Sequence, residues 1–171
     1  MRLRPRAEVV SFKDAARVLC HFDHGYVVFP GGGIESNESA VHAAKRECLE
    51  ESDRILINCT VAHPPTLQLW PEGYANGKGM KWAEGYRGGL SYWMTGSTSD
   101  EPYHPDPKGR HADFEASFRW HPIHSVIDRL KREVAGDWSD DVRTRLAILE
   151  THQKMNEIHK SASPLRLRLP G

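Results

Sequence analysis

The feature that most constrains this chain is a triple glycine followed by a helix-forming segment. Residues 31–52 read GGGIESNESAVHAAKRECLEES. Glu47, Glu50 and Glu51 fall within about one and a half turns of the predicted helix and therefore share one face. Like charges at this spacing weaken an isolated helix by roughly a few tenths of a kcal/mol per pair. The pattern therefore predicts a bound partner that offsets the repulsion.

Clustered carboxylates on a rigid element indicate a site for a hard cation. Mg²⁺ prefers oxygen ligands and is commonly shared with the phosphates of a substrate. The glycines leave the backbone open to a ligand, and the small side chains of Ala40 and Ala43 lie further up the acidic side of the helix. Asn37 or Ser36 is the predicted N-cap. The segment thus predicts a metal and phosphate site between a glycine bend and a helix.

Length and charge narrow the classes of function. A chain of 171 residues is long enough for one domain with its own core. We assign that domain to residues 1–160 and expect 161–171 to be a tail, either disordered or an edge strand. Lys plus Arg equals Asp plus Glu at 23 each, so no net charge draws the protein to nucleic acid or to an anionic membrane. The three cysteines lack paired spacing, which favours free thiols and a cytoplasmic location.

Hydrophobic patterns predict strands on both sides of the acidic helix and two more helices after them. The strands are predicted at 9–12, 17–22, 26–29, 54–61, 89–94 and 118–120, and the later helices at 125–134 and 140–159. No apolar run reaches membrane-spanning length. The polar segments 71–88 and 96–114 are predicted to be binding loops, lids or disordered segments.

The order of charged residues matches a more restrictive pattern. Five residues separate Gly32 from Glu38, and after seven more residues the sequence RECLEE occupies 46–51. This arrangement strongly resembles the Nudix box of the Nudix hydrolase family. The resemblance is specific over 26–51 and looser over 6–134. It implies an α/β fold, a Nudix-like α/β/α sandwich with a mixed β-sheet between helices.

The end of the box departs from the family pattern. Asp53 and Arg54 stand where the family usually has a glycine and an aliphatic residue. A glycine there serves a left-handed C-cap, which aspartate adopts less readily. We expect this departure to affect how the helix ends and not its metal face.

The resemblance implies a role for each polar position of the box. Glu47, Glu50 and Glu51 match metal-binding and catalytic carboxylates, with Glu47 acting alternatively as the base. The carbonyl of Gly31 matches a backbone metal ligand, and Glu115, shortly before the predicted strand at 118–120, matches a further catalytic glutamate. The implied cofactor is Mg²⁺, with Mn²⁺ as a substitute. Structural support of the site is expected from Gly32, Glu38 and Arg46.

The implied activity is cleavage of a pyrophosphate bond in a nucleoside diphosphate derivative by attack of water on phosphorus. Substrate candidates are a nucleoside triphosphate, a dinucleoside polyphosphate and a nucleotide sugar. Two alternatives stay open: a nucleotide-sensing module without catalysis, and a pyrophosphohydrolase of RNA 5′ ends, the one nucleic-acid partner considered. A homodimer is compatible with the resemblance, and no membrane partner is expected. Substrate-binding residues are predicted to be Tyr74, Trp82, Tyr86 and Arg110.

Overall fold

The computed structural model describes residues 1–70, 84–100, 103, 118–136 and 140–162. None of the helices in these ranges is both long and apolar enough to cross a membrane. The helices are α1 Ala40–Ser52, α2 Ile123–Gly136 and α3 Asp140–Ala162. The strands are β1 Arg2–Ser11, β2 Arg17–Asp23, β3 Tyr26–Val28, β4 Gly31–Gly33, β5 Leu56–Leu69, β6 Tyr86–Thr98 and β7 Arg119–Pro122.

A mixed sheet of four strands forms the centre of the molecule. Its strand order is β4-β1-β6-β5, and a second sheet of three strands has the order β3-β2-β7. β1 is antiparallel to β4 and parallel to β6, and β5 is antiparallel to β6. Because parallel neighbours need a long crossover between them, β1 and β6 come from distant parts of the sequence.

The sheet lies between α1 on one face and α2 with α3 on the other. Successive side chains of a strand point to opposite faces, and Val9 and Val10 of β1 accordingly belong to different apolar clusters. Val9 packs with α1, and Val10 packs with α2 and α3. This arrangement confirms the predicted α/β/α sandwich with a mixed sheet. The helix residues that fill the two clusters are Ala43, Ala44 and Cys48 on the first face, and Val126, Leu130, Ile148 and Leu149 on the second.

Three strands are longer than the sequence pattern predicts. β1 begins at Arg2 instead of residue 9, β5 continues to Leu69 instead of residue 61, and β6 runs from Tyr86 to Thr98 instead of 89–94. The additional residues include prolines and glycines, which have low strand propensity, so their pairing partners hold them in the sheet. The predicted tail at 161–171 lies outside the described residues from 163 onward.

The triple glycine forms strand β4, so the predicted bend is wrong. Its residues pair with β1, Gly32 lying opposite Ala7. The ladder continues on both sides, because Val9 donates to the carbonyl of Pro30 at 2.8 Å and Ile34 donates to that of Pro5 at 3.0 Å. A strand made of glycines carries no side-chain pattern, and this pairing with β1 is what defines it.

The structure corrects the sequence expectation at both ends of α1. Ser39, and neither Asn37 nor Ser36, is the N-cap: its hydroxyl accepts a hydrogen bond from the backbone N–H of His42 at 3.2 Å. At the other end, Asp53 adopts the left-handed conformation, with φ 52°. Its backbone N–H donates to the carbonyl of Leu49 and ends the helix. Aspartate thus takes the conformation for which a glycine is expected, and α1 keeps an ordinary helix end.

We predict that Ser39→Ala lowers the free energy of unfolding by about 1 kcal/mol, because it removes the capping acceptor of α1. Ser36→Ala, at an exposed turn position, is the matched control and should change stability by less than about 0.5 kcal/mol. Urea denaturation of the two variants measures both values. Equal losses in the two variants would contradict the assignment of the cap.

Candidate functional site

The acidic face of α1 is built by packing on its opposite face. Ala43, Ala44 and Cys48 are fully buried against the sheet, which turns the glutamates toward the edge where β4 lies. The side chain of Glu47 is 12% exposed and that of Glu50 is 47% exposed. The acidic face of α1 therefore has a nearly buried carboxylate at Glu47 and a solvent-exposed one at Glu50.

The guanidinium of Arg46 contacts Glu38, which precedes α1, and two glutamates of the acidic face, Glu47 and Glu50. Its Nε and Nη2 donate to the two carboxylate oxygens of Glu38 at 3.0 and 2.9 Å. Its Nη1 donates to Glu47 at 2.8 Å and to Glu50 at 3.2 Å. These hydrogen bonds, with Glu38 contributing most, raise the pKa of Arg46, and the same contact lowers the pKa of Glu38. Arg46 and Glu38 are therefore charged at neutral pH, and the guanidinium offsets the repulsion among the glutamates that it contacts.

The glycine strand joins this network through its free edge. Arg46 also donates to the carbonyl of Gly33 at 2.9 Å, and Gly31 donates its N–H to Glu51 at 2.9 Å. In an antiparallel strand the N–H and the carbonyl of one residue lie on the same edge. The carbonyl of Gly31 therefore faces the side on which Glu51 lies, next to the acidic face of α1.

Side chains on both sides of β4 require its residues to be glycine. A Cβ atom at Gly32 would overlap the carboxylate of Glu47, and one at Gly31 would overlap the carboxylate of Glu8 and the backbone of Ala7. The two glycines point to opposite faces of the strand. Glu47 thus packs directly on Gly32, and α1 approaches the sheet as closely as the backbone allows.

A second ion pair lies on β1, on the other side of β4 from α1. Arg6 donates from its Nε to the carboxylate of Glu8 at 2.9 Å, and Glu8 is only 4% exposed. The charge of Glu8 raises the pKa of Arg6, and Asp141 and Glu47 contribute in the same direction. Arg6 is therefore a permanent positive charge near Glu47.

A polar cavity of about 560 Å³ opens beside the acidic face. Its lining includes Glu47 and Gly33 from the site, together with Arg4 and Tyr86. The guanidinium of Arg4 lies against Gly33, and within the described part of the chain no carboxylate forms an ion pair with it. The charged residues that line the cavity are Arg4 and Arg46 together with Glu35, Glu47 and Glu84.

Tyr86 is the one predicted substrate residue that falls within the described ranges. Arg2 covers its ring at 4.2 Å from the centroid and donates to its hydroxyl at 3.0 Å. The other predicted substrate residues, Tyr74, Trp82 and Arg110, lie outside the described residues, and so does the predicted catalytic Glu115.

Sequence analysis missed Arg2, Arg4 and Arg6 as parts of this region. They alternate along MRLRPRA, and a period of two in a strand places them on one face. The alternation of arginines is visible in the sequence. It indicates a charged strand face next to the site only when this segment is known to pair with the glycine strand.

The three glutamates of the acidic face are each bound by groups of the protein itself. Within the described ranges, no group of three or more His, Cys, Asp or Glu side chains is arranged to hold a metal ion. The physical reason is that Arg46 holds Glu47 and Glu50 while Gly31 holds Glu51. The donors are nevertheless carboxylate oxygens beside a backbone edge, a set whose chemistry fits a hard divalent cation. Such a cation would compete with Arg46 for the same oxygens.

Two comparisons relate the sequence to known proteins. A model of the NUDIX domain matches residues 3–142. An RNA pyrophosphohydrolase of Rhizobium meliloti (strain 1021) is 29% identical over 101 residues, which cover 57% of this chain and 59% of that protein. The chain therefore spans less than two thirds of the length of this relative.

Solved structures share the fold at low sequence identity. The MutT protein from Bacillus halodurans has a TM-score of 0.52 and 18% identity, with coverage of 74% of this chain and 72% of that chain. A NUDIX hydrolase from Nitrosomonas europaea has a TM-score of 0.51 and 16% identity, with coverage of 99% and 97%. Likeness at this level shows the fold alone.

We predict that Gly32→Ala lowers the free energy of unfolding by about 1–3 kcal/mol, because the added methyl group must displace the carboxylate of Glu47 or move α1 away from β4. Gly89→Ala is the matched control, since its Cβ would meet only ordinary contacts, the nearest at 3.6 Å. Chemical denaturation compares the two. A larger loss for Gly89→Ala would show that the contact between Gly32 and Glu47 is not the limiting one.

Proposed function

Because the chain belongs to the NUDIX domain family, we propose that it is a magnesium-dependent hydrolase that cleaves a pyrophosphate bond in a nucleoside diphosphate derivative. The observation that carries the proposal is the direct packing of the acidic helix on a strand of glycines, joined by Arg46 and by the bond from Gly31 to Glu51. This places several carboxylates beside an open backbone edge and a polar cavity. Nucleoside triphosphates, dinucleoside polyphosphates and nucleotide sugars are the substrate candidates.

The metal would be held by the carboxylates of Glu47, Glu50 and Glu51, with the carbonyl of Gly31 on the adjoining edge. When bound, Mg²⁺, or Mn²⁺ in its place, supplies a Lewis acid for the phosphate oxygens and lowers the pKa of a water molecule that attacks phosphorus. The carboxylate of Glu47 is more buried than that of Glu50, and we propose Glu47 as the alternative base. Glu115 is proposed as a further catalytic carboxylate.

Arg46 and Glu38 prepare the acidic face for this task. Arg46 holds two of the glutamates in place through hydrogen bonds from its guanidinium, and Glu38 orients Arg46 through two bonds to the same group. The face therefore stays ordered when no cation neutralises it. Release of Glu47 and Glu50 from Arg46 would be the step that accompanies metal binding.

Arg4 is the residue best placed to bind a phosphate group of the substrate. It lines the cavity together with Glu47, and among the described residues no ion pair joins it to a carboxylate. A guanidinium presents several N–H donors in a plane and binds phosphate oxygens in a bidentate manner. Arg4 would bind a phosphate group of the substrate in this cavity. Tyr86 would line the same cavity towards the nucleoside, with Tyr74, Trp82 and Arg110 proposed as further contacts.

Hydrolysis at the 5′ end of RNA is the second candidate function. The specific observation is the Arg2 guanidinium, exposed and stacked on Tyr86 at the outer side of the cavity. Unpaired RNA bases stack on aromatic rings and on arginine planes. The relative from Rhizobium meliloti is named an RNA pyrophosphohydrolase. In an RNA substrate, the nucleotide after the 5′-terminal one would bind the surface formed by Arg2 and Tyr86.

We also propose that the protein is cytoplasmic, because its cysteine thiols are free. Cys20, Cys48 and Cys59 are free in the structure, and burial raises the pKa of Cys20 to about 12 and of Cys48 to about 11. Protonated, buried thiols of this kind persist in a reducing compartment.

We predict that Glu50→Gln and Glu51→Gln each lower kcat by about a hundredfold or more, because each removes a negative ligand where charge must be neutralised. An assay with nucleoside triphosphate, dinucleoside polyphosphate and nucleotide sugar in Mg²⁺ or Mn²⁺ measures the effect, and circular dichroism checks the fold. Glu157→Gln, exposed on α3, is the control. Wild-type rates in the Glu50 or Glu51 variant would refute the assignment, and nucleotide binding without turnover by the wild type would identify a sensor.

We predict that Arg2→Ala lowers kcat/KM on a 5′-triphosphorylated RNA oligonucleotide by about tenfold, the effect of losing one stacked base. Hydrolysis of free nucleoside triphosphate should fall less, by about twofold or under, since this substrate lacks the following nucleotide whose base is proposed to stack on Arg2. Arg132→Ala, on the exposed side of α2, controls for loss of positive charge. Equal rates on RNA for wild type and Arg2→Ala would remove the support for a polymeric substrate.

A further inference from the structure

A row of charged side chains from β1 lies beneath the glycine strand. Gly31 and Gly33 point away from α1, because successive residues of a strand face opposite sides and Gly32 faces Glu47. A Cβ atom on Gly31 would overlap Glu8, and one on Gly33 would overlap the guanidinium of Arg4. Only the glycine strand, which has no side chains, therefore lies between this row and the acidic face.

The carboxylate of Glu8 lies between Arg6 and Gly31. Its Oε1 accepts from the Nε and from the Nη2 of Arg6, both at 2.9 Å. Its Oε2 occupies the space that a Cβ atom on Gly31 would need. Glu8 is 4% exposed, whereas the side chain of Arg6 is 28% exposed. The negative end of this ion pair therefore faces the glycine strand.

Stability alone does not account for a buried ion pair at this place. The cost of removing two charges from water can exceed the free energy of their attraction, and an apolar pair of similar volume is often at least as stable. Val10, on the same face of β1, and Trp93, the cross-strand partner of Glu8, are fully buried. Apolar side chains thus fit this face of the sheet, and the pair indicates a role that depends on charge.

The charge of Arg6 also acts on the acidic face. Glu8 contributes most to the raised pKa of Arg6, and Asp141 and Glu47 contribute in the same direction. An interaction between charges is mutual, so Arg6 would repel a cation bound by Glu47, and a divalent ion twice as strongly. Solvent screens this repulsion little, because Glu8 and Glu47 are both nearly buried. A carboxylate next to Arg6 cancels the repulsion.

We propose that Glu8 raises the cation affinity of the acidic face by neutralising Arg6 from the far side of the glycine strand. The inference rests on the proposed function, because it requires that Glu47, Glu50 and Glu51 bind Mg²⁺ or Mn²⁺. Glu8 itself is a positioning residue that contacts neither the cation nor the substrate. It gives cation binding a contribution from outside α1 and β4.

Binding of Mn²⁺ to the protein without nucleotide tests the proposal, with free Mn²⁺ measured by electron paramagnetic resonance. We expect Glu8→Gln to raise the Kd by about tenfold, because Arg6 keeps its charge and loses its partner. Arg6→Lys/Glu8→Gln, which also leaves a positive charge without a partner, should show the same loss. Glu8→Asp keeps the negative charge, and Arg6→Gln/Glu8→Gln removes both charges, so each should stay within about threefold of wild type.

Two controls accompany these variants. Glu133 is another buried glutamate, 8% exposed, and it accepts a hydrogen bond from the N–H of Val27. Glu133→Gln should leave the Kd for Mn²⁺ within about twofold of wild type, because this carboxylate lies on α2, on the other side of the sheet from α1. Glu51→Gln should weaken binding by at least about tenfold, which assigns the measured Kd to the acidic face. Circular dichroism checks that each variant is folded.

Three results would overturn the proposal. Equal Kd values for wild type and Glu8→Gln would show that the charge of Glu8 does not act on the acidic face. A loss of affinity that persists in Arg6→Gln/Glu8→Gln would show that Glu8 acts through packing and not through charge. Absence of Mn²⁺ binding by the wild type would refute the proposed metal site as well, so failure of the proposed function differs from failure of this inference alone.

Discussion

The guanidinium of Arg46 is the interaction on which the acidic face depends. It contacts Glu38, Glu47, Glu50 and the carbonyl of Gly33 at 2.8 to 3.2 Å. Without it, carboxylates on adjacent turns of α1 would repel each other and would lie beside a backbone strand that carries no side chains. One cation thus keeps the helix, the glycine strand and the loop between them in a single arrangement. The same contacts hold Glu47 and Glu50 against the guanidinium.

The glycine strand explains why this arrangement needs the rest of the sheet. β4 has no side chains to pack, so its position comes from hydrogen bonds to β1 on one edge and to α1 on the other. β1 in turn is held by its long parallel pairing with β6. Because Glu47 and Glu8 occupy the two sides of β4, any side chain there would push apart the elements that form the site. Stability and site geometry therefore depend on the same contacts.

The acidic face was predictable from the sequence because its residues are close in the chain and share one helix. The α/β/α sandwich followed from the resemblance carried by the same residues. Three features were not predictable in this way. The glycines form a strand only because β1 lies beside them. The N-cap of α1 is Ser39, beyond the turn at 36–37 where the sequence places the cap. Arg4 lines the cavity only because β1 pairs with β4. Each depends on contacts between distant segments, which local patterns do not contain.

The most direct test of the account is an anomalous difference map from crystals of the protein loaded with Mn²⁺. The account predicts a peak about 2.1 Å from carboxylate oxygens of Glu50 and Glu51, with Glu47 or the carbonyl of Gly31 completing the protein ligands. It also predicts that Arg46 gives up its contacts with Glu47 and Glu50 and keeps those with Glu38. A map in which Arg46 still holds both glutamates and the ion lies elsewhere would contradict the central claim.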